Sequence, residues 1–209
     1  MIARRTLLLL PLLAACEELR TPQAGLTGVL VSTPSAQGPL RAAVEATAAA
    51  FDREGQGLDG RPAEAALALA RFEALAIETT DRNAFPTMSP TVPIAMRVAR
   101  DENRAALGVT QNAPAADVVR ALARAAERLR ANDPPGAAAA LDRRLFEPGG
   151  EVTRDRLGAL GPLPAAAQAS AALAREVRRL DLDRGWAGAG NWWQTGERGT
   201  ITDGLGAGF

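Results

Sequence analysis

NAPAADVVRALARAAERLR, residues 112–130, sets its side chains at helical spacing: Val118, Leu122, Ala125 and Leu129 fall on one side, with Arg120, Arg124, Glu127 and Arg128 on the other. Asn112 stands where a cap belongs, because its side-chain oxygen can accept from the first free amides of a helix. On both sides of this run the chain is dominated by Ala, Leu, Arg and Glu, all strong helix formers, while alternation of β-branched residues is nearly absent. The expectation is an all-α domain.

Punctuation by Pro and Gly divides the remainder. A first helix is predicted from Pro39 to Glu54, with Leu40, Val44, Ala48 and Phe51 inward and Gly55 as its stop. A second runs from Pro62 to about Thr79; Glu64, Arg71 and Glu78 share one face, and Leu69, Phe72, Ala76 and the carboxylate of Glu73 share the other. The third spans Thr91 to Leu107, with Pro93 tolerated in its first turn and Gly108 ending it. After the run quoted above, Asp133 caps a fifth helix that starts on Pro134, with Leu141 and Leu145 as its apolar seam. Thr153 is expected to cap a short sixth, where Val152 and Leu157 are placed for a hydrophobic staple. A seventh runs from Pro164 to Leu182 and buries Ala169, Leu173, Val177 and Leu180. Apart from Thr80 to Pro90 the connections are short, which favours an antiparallel bundle or stack of about six to seven Ala/Leu/Arg-rich helices. Helical pairs also suggest tetratricopeptide-like repeats, but the helix starts are unevenly spaced and the chain has no Tyr for that signature.

The flanks read differently. Met1-Ile2-Ala3-Arg4-Arg5, the apolar run Thr6 to Leu13 and then Ala14-Ala15 follow the charged, apolar, small-residue order of an export signal, too short to span a bilayer. Leu13-Ala14-Ala15-Cys16 resembles the lipobox of bacterial lipoproteins, in which a peptidase cuts just before a diacylated cysteine. The resemblance covers the first sixteen residues only. It implies acylation of Cys16, the single cysteine of the chain, and hence a membrane as a partner. Glu17 in place of Asp implies sorting to the periplasmic face of the outer membrane rather than retention at the inner one. An ordinary secretory signal cut after Ala15 is the alternative, and Arg4-Arg5 also fits a twin-arginine signal. The expected limits are a signal peptide at 1–15, a lipidated tether at 16–38, a helical domain at 39–184 and a Gly/Trp-rich tail at 185–209.

That tail carries all three Trp, at Trp186, Trp192 and Trp193, among eight Gly. Glycine disfavours helix, and tryptophan is enriched where one side is buried and the other meets a partner, so these residues are candidate binding positions for a protein or a sugar; folding back to seal an open helix groove of their own domain is the plainer alternative.

Composition removes much chemistry. The chain has no His, no Tyr and no Lys, all twenty-four basic residues being Arg. Histidine-assisted nucleophiles, Schiff-base lysines and the phosphate-loop lysine are therefore excluded. Zinc lacks its usual ligands, and Asp181-Leu182-Asp183 is the nearest approach to a calcium loop, so no metal or cofactor is expected. The chain is formally neutral, and removing Arg4 and Arg5 with the signal leaves it near −2, which gives no electrostatic reason to expect nucleic acid.

A carboxylate-only mechanism survives, since Asp and Glu alone can cleave glycosidic bonds. Glu73 is the candidate acid, because an apolar face would desolvate it; pairing with an arginine such as Arg97 or Arg124, or simply edging into solvent, is the plainer alternative. Lytic transglycosylases follow their helical Glu with Ser, whereas Ala74 stands here. The expectation is therefore a non-catalytic envelope lipoprotein acting as a scaffold or accessory subunit for an envelope protein, with cell-wall glycan as the alternative substrate or ligand.

Overall fold

A computed structural model describes residues 39–80 and 87–183. Among them are seven α-helices: α1 Pro39–Ala50, α2 Pro62–Glu78, α3 Thr91–Leu107, α4 Ala115–Arg130, α5 Pro134–Ala140, α6 Gly150–Leu157 and α7 Pro164–Leu182, with a 3-10 segment over Asp52–Leu58. The class is all-α, and the helices form a bundle.

The bundle is built around α2. Ala and Leu on every side of PAEAALALARFEALAIE bury Ala65, Ala66, Leu69, Phe72, Leu75 and Ala76, so α2 has no wholly polar face. A helix that is apolar nearly all round belongs in the middle of a domain. It packs against α1, the 3-10 segment, α3, α6 and, most extensively, α4. Small side chains let these axes approach closely, and Phe72 meets Phe51 edge-on, with ring centroids 5.4 Å apart.

Around this centre α7 runs antiparallel to both α1 and α3. Arg41 in the first turn of α1 binds Asp181 in the last turn of α7, and Leu163 just before α7 donates to the carbonyl of Glu54 at 2.9 Å. Ser89, two residues before α3, donates to Glu176, while Glu102 near the end of α3 accepts from the amides of Ala165 and Ala166. The start of α1, the start of α3 and the end of α7 therefore share one pole of the bundle. The opposite pole is where Gly60 donates to the carbonyl of Gly158 at 3.0 Å.

Several boundaries depart from the sequence reading. The first helix stops at Ala50 and not at Glu54, because Arg53, Glu54 and Gly55 take left-handed backbone angles, and the chain turns there while Phe51 stays buried. Asn112 makes no cap; α4 starts after Pro114 without a side-chain cap. Asp133 does cap α5, its Oδ1 accepting from Gly136 at 2.9 Å, but α5 ends at Ala140. Leu141 is buried beyond the helix end, and Leu145 lies in the turn organised by Asp142, whose carbonyl accepts from Leu145 and Phe146. Thr153 lies inside α6, where its hydroxyl donates to the carbonyl of Gly149, and half-exposed Val152 forms no staple with buried Leu157.

Gly108 and Gly150 are fixed by close approach. Gly108 ends α3 at φ +72, and a Cβ there would sit 2.7 Å from Pro148 Cγ, where Val109 and Phe146 form an antiparallel bridge. A Cβ on Gly150 would lie 1.9 Å from the carbonyl oxygen of Ala138, so the start of α6 rests directly on α5.

Candidate functional site

Glu73 is 4% exposed, on the side of α2 that meets α3. Arg104, in the last turn of α3, reaches it: Nε donates to Oε1 at 3.1 Å and Nη2 donates to the same oxygen. The remaining arm, Nη1, donates to the carbonyl of Ala113 at 3.2 Å. The carboxylate therefore has an arginine partner, as the plainer reading expected, but the partner is Arg104; Arg97 and Arg124 are both exposed. Glu73 is thus buried and Arg104 largely so, their side chains being 4% and 14% exposed.

Asn103, beside Arg104, is 5% exposed, and neither atom of its amide has a hydrogen-bond partner among the described residues. Unbonded amides of this kind are costly to bury. No signal in the sequence marks Asn103, which occupies an inward position in line with Met96, Ala99 and Leu107.

The shared pole carries a polar network that joins α1, α3 and α7. Arg41 donates from Nε to both oxygens of Asp181, at 2.9 and 3.0 Å, and from Nη2 as well. These bonds to Asp181, opposed by partial burial, raise the affinity of the Arg41 guanidinium for its proton. With Glu45 and Arg178 the pair lines an open depression of about 450 Å³. Two acids and two bases leave it balanced in charge.

Beside it, Arg179 grips Glu176 through Nε at 3.0 Å and Nη2 at 2.7 Å, and Glu176 also accepts from the Ser89 amide at 2.7 Å. The Arg179 hydrogen bonds hold the Glu176 carboxyl below the usual glutamate range against the opposing effect of burial, with the Ser89 amide adding to the shift. Arg179 also donates to the Thr87 carbonyl at 2.9 Å and to Asp183 at 3.0 Å. Asp181 and Asp183 are thus each turned toward an arginine. Among the described residues no three carboxylate, thiol or imidazole groups cluster as metal ligands would.

Sequence reasoning missed Arg104 as the partner of Glu73, and it missed Glu102 as the cap of α7. Both are contacts between helices distant in sequence. The Glu176–Arg179 pair had a local signal, its i,i+3 spacing on one helix.

Cys16, Trp186, Trp192 and Trp193 lie outside the described residues. None of the described helices is long and apolar enough to cross a membrane. No family model, curated protein or solved structure matches the chain.

Proposed function

We propose that the chain is an envelope lipoprotein, held by acyl chains on Cys16 at the periplasmic face of the outer membrane, whose helical domain is a non-catalytic scaffold or accessory subunit for another envelope protein. The observation that carries the non-catalytic part is the closure of Glu73. The one carboxylate singled out for glycan chemistry is sealed against Arg104 inside the bundle, whereas an acid catalyst must reach a substrate oxygen within hydrogen-bond distance. The anchor itself rests on the order Leu13-Ala14-Ala15-Cys16.

The chain enters the helical domain at Pro39, on the pole shared by Arg41 and Asp181. A tether from Cys16 would therefore join the domain at that pole and not at the one where Gly60 meets Gly158.

Capture of the full chain from gently solubilised membranes is expected to bring down one partner in fixed proportion. Recovery of the chain alone under several mild detergents would contradict the scaffold reading. Incubation with purified peptidoglycan is expected to release no fragments; release that is lost on Glu73→Gln would establish the catalytic alternative. Co-sedimentation with the glycan, abolished by Trp192→Ala, would establish a glycan-binding protein instead.

A further inference from the structure

Arg71 is half-buried in the middle of α2, the helix against which α4 packs most extensively. Its Nε is enclosed by protein and donates to nothing, and the side chain enters no ion pair among the described residues. The charge that acts on it is of like sign, that of Arg130, the exposed last residue of α4. Burial pushes the Arg71 guanidinium below the usual arginine range, and the charge of Arg130 adds to the effect. Acids that sequence spacing puts nearby are committed elsewhere. Glu64, on the same face of α2, is turned to Arg61, and Asp133, just beyond α4, holds Arg128 and the Gly136 amide. The ion pairs of α4 run from Arg120 to Asp117 and from Arg128 to Asp133, and neither includes Arg130.

A guanidinium keeps its charge in a protein, so a half-enclosed one beside a second cation calls for an anion in a way that a solvated one does not. Arg97, Arg124 and Arg175 also lack an ion pair among the described residues, but all three are exposed and water serves them. We infer that Arg71 and Arg130 together form a binding site for a terminal phosphate group, carried by a small soluble ligand or by a lipid headgroup. With Nε of Arg71 shut off, its Nη1 and Nη2 are the donors, and the fork of Arg130 supplies the others. Charge and donor number select the ligand class. A carboxylate has one charge and two oxygens, which a single fork satisfies. Two guanidinia match a terminal phosphate, with a charge of about −1.5 to −2 and three strong acceptor oxygens. The site is independent of any modification at Cys16.

Calorimetric titration of the full chain with inorganic phosphate, at ionic strength held constant with chloride, is expected to show saturable binding. Arg71→Met and Arg130→Gln should each weaken it by about tenfold or more, as loss of a charged hydrogen-bonding partner does. Arg124→Gln, on the exposed side of α4, should bind as the wild type does. Phosphate should also raise the melting temperature of the wild type and of Arg124→Gln more than that of either site variant. Should Arg71→Met melt lower than the wild type without phosphate, Arg71→Lys, which keeps the charge and loses the fork, provides the same comparison. Phosphate that stabilises every variant alike is acting as a general salt and would overturn the proposal, as would the absence of saturable binding at millimolar phosphate. The two sources separate in detergent micelles. Phosphatidic acid that displaces phosphate, where phosphatidylcholine does not, assigns a lipid headgroup; phosphate binding untouched by phosphatidic acid assigns a small soluble ligand, and either result upholds the site.

Discussion

Glu73 occupies a position that helical periodicity assigns to apolar contacts, and the bundle accommodates it by bringing Arg104 in from the neighbouring helix. Removing one member of such a pair leaves an uncompensated charge in the interior, whereas replacing both with apolar groups removes the desolvation cost along with the attraction. Arg104→Met is therefore expected to lower unfolding stability by about 3–5 kcal/mol, and Glu73→Leu combined with it to recover most of the loss. Urea unfolding of the two variants checks this, and a single-variant cost under about 1 kcal/mol would show that the pair is open to water. The need for a partner or for solvent was legible in the residue type and its apolar setting. The identity of the arginine was not, because Arg97, Arg104 and Arg124 are indistinguishable until the crossing of α2 and α3 is known. At Glu176 the consequence is a dependence on pH. Its carboxyl is held below the usual range chiefly by Arg179, so the stability it contributes is complete above about 4.3, the ordinary glutamate value, and is lost as pH falls through the lowered one. The difference in melting temperature between the wild type and Glu176→Gln is expected to be largest near neutrality and to shrink through that acid window. A difference constant from pH 7 to pH 3 would contradict the assignment.

Helix boundaries divide by the chemistry that sets them. Where proline opens a helix, or glycine closes it at positive φ, the limits are visible in the sequence, as in α3 between Thr91 and Gly108 and α7 from Pro164. Where tertiary contacts set them, they are not. Leu141 and Leu145 have the spacing of a continuing helix, yet the chain turns at Asp142, whose side chain accepts from the amide of Arg144 at 2.6 Å. The start of α7 is a further case. Its N-cap, Leu163, offers no side-chain acceptor, and the carboxylate of Glu102 on α3 takes the amides of Ala165 and Ala166 instead, at 3.3 and 3.0 Å. A carboxylate there also meets the positive end of the helix dipole. Glu102→Ala is expected to cost about 1 kcal/mol, as the loss of a cap does, and to speed amide exchange at Ala165 and Ala166 more than in the middle of α7. Unchanged protection at those two amides would show that the first turn of α7 holds without α3.

For the whole molecule, the buried all-round helix α2 explains why the domain is a bundle: its Ala-rich surface has to be enclosed on every side, and α1, α3, α4 and α6 together with the 3-10 segment enclose it. Composition made that class readable, since Ala, Leu, Arg and Glu dominate and strand-forming alternation is nearly missing. Antiparallel packing then brings the start of α1 and the end of α7 to the same pole, so one end of the domain receives the chain from Cys16 and also passes it on toward the tryptophans. The proposed attachment to a membrane would act on that end of the domain. It depends on the acylation of a single sulfur. The intact mass of the protein extracted from membranes tests this most directly. The predicted mass is that of a chain beginning at Cys16 and carrying the added mass of two or three acyl chains with their glycerol. A chain that begins elsewhere, or one with an unmodified thiol at Cys16, would contradict it.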